Sequence, residues 1–199
     1  MTRQLGQHLA AARLLIVLTV LLGLAYPLAV TGVGQALLGR QADGSLVSSA
    51  GGTVGSSLLG QNFTDADGNP LPQWFQPRPS AAGRTGYDPT ASGASNLGPT
   101  NQDLVATIEE RRRQVADFNQ VAPDRVPPDA VTASGSGLDP AISPAFAAIQ
   151  VVRVARARGL DPSTVGRLVR QHTAGRTLGF LGEPRVNVLE LNLALARLG

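Results

Sequence analysis

The stretch LLIVLTVLLGLAYPLAVTG, residues 14–32, decides the architecture of this chain. It opens a run of 26 residues, 14–39, that carries no formal charge. As a helix this run is about 39 Å long, enough for a hydrocarbon core of about 30 Å. One membrane crossing is therefore expected. Arg3 and Arg13 precede the run, whereas only Arg40 follows closely and Asp43 offsets it. The positive-inside bias then places residues 1–13 in the cytoplasm, 14–39 in the membrane and 40–199 outside. A cleavable signal peptide shares the basic start and apolar core, and Val30-Thr31-Gly32 offers a small-residue cleavage site. Charge-free sequence nevertheless continues through VGQALLG, past a signal core of about 7–15 residues, which favours an uncleaved anchor. Gly23, Ala25, Pro27, Ala29, Gly32 and Gly34 are small or helix-disturbing. They suit close approach of a second transmembrane helix, and equally a lone anchor that tolerates them near its end.

Outward from the anchor, residues 40–199 suffice for one small domain with a modest core. The chain is 43% hydrophobic but only 4% aromatic, so burial must rest on Leu, Val, Ile and Ala. Its 23 Gly and 14 Pro imply many turns between short elements. All 17 basic residues are arginine, and beyond residue 39 fifteen of them face 14 acids, a net of +1. The clustered positive field that a phosphate backbone requires is missing, which sets nucleic acid aside. The absence of cysteine excludes disulfide and thiol chemistry and says nothing about compartment.

Residues 40–101 show no helical period, only short apolar pieces at 45–47 and 54–59, and are expected to form short strands and loops. Asn101 caps an amphipathic segment with Leu104, Ile108, Val115 and Phe118 on one side, ending near Asn119; Arg111–Arg113 read as its solvated face. Residues 121–128 read as a linker and 131–133 as a short strand. Ser143-Pro144 supplies an N-cap and an N1 proline ahead of AFAAIQVVRVARAR, and Gly159 stands where that helix should stop. Asp161-Pro162 repeats the device, and Asn187 with Glu190 caps a last helix. The expected class is α+β: one transmembrane helix, then a mixed helix and strand domain, helix-rich in its C-terminal third.

Catalytic chemistry is mostly excluded. A P-loop needs a lysine on the phosphates, and the chain has none. The run 51–57, GGTVGSS, reads as a turn, with anion cradling as the alternative. Only His172 lies beyond the anchor, so a zinc or copper site is not expected. Asp65-Ala66-Asp67-Gly68-Asn69 resembles a calcium loop, but its glycine is misplaced and Gln76 stands where a bidentate glutamate belongs, so a polar turn is expected. No G-x-S-x-G elbow accompanies His172, whose expected role is to end its helix. A membrane-anchored extracytoplasmic enzyme using His172 or Asp65 with Asp67, or a processed binding protein, stands as the competing reading.

Six blocks carry a family resemblance: GLAYPLAVTG at 23–32, LLGQNFTD at 58–65, WFQPRPSA at 74–81, SGASNLGPTN at 92–101, SGSGLDPAISPAFAAIQVVRVARARGL at 134–160 and LGFLGEPRVNVLELNLAL at 178–195. In that order they resemble the C subunit of the bacterial Kdp potassium-transporting ATPase over nearly the whole chain; residues 67–73 look like an insertion. The resemblance implies an accessory, non-catalytic subunit in the inner membrane. Its partners would be a channel-like potassium-pathway subunit, a P-type ATPase subunit and a very small subunit. It also implies a catalytic chaperone that raises the ATP affinity of the ATPase subunit, with Gln150 as the ATP-related residue and no cofactor of its own. The expected topology puts Gln150 outside while ATP is cytoplasmic, so long-range coupling through the complex is the alternative to direct contact. The alternative for Gln150 itself is an ordinary helix-surface position. Arg78, Asn96 and Arg185 lie in the family blocks as candidate partner contacts, or as residues satisfying local backbone.

Overall fold

The computed structural model describes residues 2–49 and 51–198. Residues 1, 50 and 199, which fall in the expected segments 1–13 and 40–199, and the side chains of Thr2 and Arg3 lie outside this description. Two compact units divide between Leu46 and Val47.

The first unit is a long helix: α1, Thr2–Val20, a π-helical turn, Leu21–Ala25, and α2, Tyr26–Ala42. Among the described residues it is the one helix long and apolar enough to cross a membrane. Pro27 explains the widened turn. It has no N–H to give the carbonyl four residues back, and its ring crowds that carbonyl. The ladder shifts instead to a π bond, with Tyr26 N–H donating to Leu21 O. Past Ala42 the exit is a C-cap in which Ser45 N–H reaches back to Arg40 O at 2.8 Å.

A two-stranded sheet follows, β1 Leu46–Ser49 and β2 Gly52–Ser56, which lies in the second unit from Val47 onward. The run at 51–57 is thus mostly strand, with turn residues only at its ends, Gly51 and Ser57. An irregular stretch leads to α3, Gln102–Asn119, capped by Asn101, whose side chain accepts from Leu104 N–H at 3.0 Å. Arg112 and Arg113 are solvated as expected, but Arg111 is half-buried and donates to Val131 O at 3.2 Å. The strand expected at 131–133 does not form. Pro127 and Pro128 start a 3₁₀ turn, Pro128–Ala130, and Thr132 bonds back to Pro128 O through both its N–H and its hydroxyl, leaving Val131 buried on a turn.

The three expected C-terminal helices are present: α4 Pro144–Arg158, α5 Pro162–Gln171 and α6 Val188–Ala196. Their caps are those of the sequence. Ser143 accepts from Phe146 N–H, Asp161 from Ser163 N–H and Asn187 from Glu190 N–H. Gly159 ends α4 at φ +65°, and His172 ends α5 with Nδ1 at 3.0 Å from Leu168 O. Three short strands tie the helices together. β3 Ala141–Ile142, β4 Thr173–Ala174 and β5 Arg185–Asn187 form an antiparallel sheet ordered β3-β5-β4, in register Ile142 with Val186 and Val186 with Thr173. The core lies between this sheet and the helices, around Phe75, Val154, Val165, Val186, Leu191 and Leu195.

Beyond β4 the hairpin tip is closed by paired bonds between Thr177 and Leu181, with Leu178 at φ +54° and Gly179 at φ +84°. A leucine in this left-handed region costs about 1–2 kcal/mol.

Candidate functional site

The family block at 74–81 runs extended through the domain without joining any sheet. Phe75 is fully buried, so the main-chain groups around it need partners other than water. Two buried amides supply them. Asn192 of α6 accepts from Phe75 N–H and donates to Phe75 O, both at 2.9 Å. Gln150 of α4 does the same one residue on: Oε1 accepts from Gln76 N–H at 2.7 Å and Nε2 donates to Gln76 O at 3.1 Å. Each side chain reproduces the two-point pairing of a neighbouring strand.

Arg153 completes the clamp. Only 8% exposed, it donates to Pro72 O (2.5 Å), Trp74 O (3.0 Å), Asn119 Oδ1 (2.9 Å) and Gln150 Oε1 (2.7 Å), while its guanidinium lies 4.3 Å from the Phe118 ring centroid. No carboxylate joins this set, and burial lowers its pKa to about 10, still cationic at neutral pH. Arg158 adds an outer contact, stacking 4.2 Å over Trp74 and donating to Gln73 O. Gln76 spends its own amide on Phe63 O and Leu71 O.

Residues 76–80 line an open groove of about 280 Å³ together with Arg111, Val115 and Phe118 of α3 and Phe146 and Gln150 of α4. Arg78 is part of this lining. Its guanidinium pairs with Asp139 at 3.0 Å and donates to Thr132 O. Tyr87 donates to Arg78 O at 2.8 Å, and its phenol is pushed up by burial and by Asp139, with Arg78 opposing. Ser80 Oγ donates to Gly137 O at 2.6 Å and accepts from Ala82 and Tyr87 N–H. Gly137 sits at φ +69°, and a Cβ there would meet Ala82 Cβ and Gly93 O at 2.7 Å, so backbone closeness requires glycine.

Gln150 is not the helix-surface residue of the sequence reading; it is 0% exposed. Its oxygen already accepts two bonds and its nitrogen donates one. Arg78 satisfies local backbone and one carboxylate. Asn96 is exposed with a left-handed backbone at φ +54°, and Arg185 is exposed on β5; neither lines the groove. Sequence reasoning passed over Arg153, Asn192 and Asn119. The available signal was a polar residue on a core-facing stripe, Arg153 one turn from Gln150 and beside Val154, and Asn192 beside Leu191.

Asp65 closes the expected polar turn. It accepts from Asp67 and Asn69 N–H and from the Asn69 amide, and these bonds, the Asn69 side chain first, lower its pKa.

The family profile described as "K+-transporting ATPase, c chain" matches residues 8–197, anchor and domain together. The chain belongs to the KdpC family. It is 59% identical over 195 residues to the potassium-transporting ATPase KdpC subunit of Kineococcus radiotolerans, covering 98% of this chain and 95% of that one. Identity to the KdpC subunit of Mycobacterium tuberculosis is 53% over 193 residues, 96% and 98% of the two chains. To that of Rhodospirillum rubrum it is 54% over 178 residues, 89% of each. As a KdpC chain it is a non-catalytic subunit of the Kdp potassium-transporting ATPase complex and a partner of the other Kdp subunits. The KdpC blocks read in the sequence coincide with the clamp: 74–81 supplies the clamped segment and 134–160 supplies Gln150 and Arg153.

Proposed function

We propose that the chain stabilises assembly of the potassium-transporting complex and raises the ATP affinity of its P-type ATPase subunit from a distance. The observation that carries this reading is the match over residues 8–197, which takes in both the anchor and the clamped domain. The anchor packs among the transmembrane helices of the complex. The domain sits outside the bacterial inner membrane on the potassium-pathway subunit, and the very small subunit completes the assembly. Support for this orientation is the charge asymmetry, with Arg3 and Arg13 before the span and Arg40 offset by Asp43 after it.

ATP is the substrate of the ATPase subunit and stays there. Gln150 contributes by holding residues 75–80 in one conformation, since its amide is spent on Gln76 and Arg153. The effect on ATP is then a coupling free energy between subunits rather than a nucleotide contact. The test is a potassium-stimulated ATPase titration on detergent-purified complex assembled with and without this chain, with subunit retention followed in the same preparation. The expected result is loss of subunits, or a higher KM for ATP, when the chain is omitted. Retained subunits that hydrolyse ATP with an unchanged KM refute the proposal.

A further inference from the structure

The β4–β5 hairpin ends in an apolar tip that the core does not use. Leu178 is 79% exposed and Phe180 68%, the two most exposed large hydrophobic residues among those described beyond the anchor, and Leu181 is half-exposed beside them. In a domain so poor in aromatics the placement is telling. Phe75, Tyr87 and Phe146 are buried, Phe63, Trp74 and Phe118 are half-buried, and Phe180 alone is exposed. Leu178 also holds a left-handed backbone at φ +54°, which a glycine or asparagine would adopt with less strain. An apolar side chain kept strained and in water at a fixed turn is an observation that folding leaves unexplained. The tip is cross-bonded between Thr177 and Leu181, and the Arg176–Glu183 ion pair at 2.7 Å closes its base.

We infer that residues 178–181 are a wedge that enters the lipid bilayer, in the leaflet on the domain's own side. Two observations favour lipid over a protein pocket. Residues 178–182, LGFLG, offer no side-chain donor or acceptor, so the tip can be read only by its hydrophobicity, as a hydrocarbon medium reads it. The domain is also tethered to a membrane-length helix, with only residues 43–45 between α2 and β1. A weak apolar insertion therefore acts at high effective concentration and needs no second anchor. Arg185 is exposed on β5 next to the hairpin base, and its guanidinium is the kind of group that pairs with headgroup phosphates.

Because the chain has no cysteine, a single reporter can be placed cleanly. The full-length chain is reconstituted in vesicles of phosphatidylcholine and phosphatidylglycerol, carrying Leu178→Cys or, on the solvated face of α3, Arg112→Cys, each labelled with an environment-sensitive fluorophore. The expected result is a blue shift at position 178 and several-fold stronger quenching there by acyl-chain spin labels than at position 112. Adding Phe180→Ser should remove most of that difference while leaving Trp74 fluorescence unchanged, which separates loss of insertion from loss of fold. Equal quenching at the two positions overturns the inference. So does protection of position 178 that arises only in the assembled complex, which would assign the tip to a protein partner. Neither result bears on the proposed ATP coupling, which is read from the ATPase titration.

Discussion

Replacing Gln150 by leucine removes both bonds that hold Gln76, and the size of the effect follows from what is left behind. Leucine preserves most of the volume and adds apolar surface at a 0% exposed site, so no large cavity opens. The Gln76 N–H and C=O lose their partners, and Arg153 loses one of four acceptors. A buried polar group without a partner costs about 1–3 kcal/mol. Gln76 borders the open groove, so water can replace part of the loss. The expected destabilisation is about 3 kcal/mol, a fall in Tm of about 6–12 °C for a domain of this size. Calorimetry of the full chain in detergent reads it directly, with Trp74 emission as a second probe two residues from the unpaired Gln76. A Tm within about 2 °C of the parent would refute the clamp, because a truly spent amide cannot be replaced by leucine at so little cost.

Asn192→Leu should act in the same way on Phe75, by about 2–4 kcal/mol, and combined with Gln150→Leu the losses should fall short of additive because the two amides hold adjacent residues; chemical denaturation of the four chains measures this. Gly137→Ala forces a Cβ within 2.7 Å of backbone and side chain at a positive φ and should lower expression of folded chain sharply, read by size-exclusion yield. Asp139→Asn breaks the Arg78 ion pair, whose partners are 22% and 34% exposed, and should cost no more than about 1 kcal/mol in the same denaturation assay. Asp161, the α5 cap, has its pKa lowered below 3.8, chiefly by its bonds to Ser163, so its stabilisation is full above that value and is lost as pH falls through the lower folded pKa; Asp161→Asn should flatten the dependence of Tm on pH between about 5 and 2.

What the sequence disclosed was local. Ser143-Pro144, Asp161-Pro162 and Asn187 with Glu190 each state a helix start within four residues, and all three helices begin there. The apolar run at 14–39 lies inside the long first helix, although the π turn ahead of Pro27 left no sign beyond the proline itself. Strands of two or three residues, such as β3, β4 and β5, are too short for alternation to register. Val131 has strand composition, but two prolines upstream set a turn. The clamp was least legible, because residues 72–76 are satisfied by side chains as far away as Asn192, and no spacing along the chain announces such a pairing. Gln150 was reached only through resemblance, and its burial differs from the helix-surface position that stood as the alternative for it.

The pairing of Gln76 with Gln150 spans 74 residues and that of Phe75 with Asn192 spans 117. Such contacts close large loops, and their entropy is lost before any bond rewards it. The extended segment therefore cannot acquire its partners until α4 and α6 exist, which makes its docking a late event in maturation of the chain. The same order run backwards makes it an early strand to release. In native-state hydrogen exchange the amides of Phe75 and Gln76 should open together, ahead of the α4 interior, and the groove wall would come and go as a single cooperative unit.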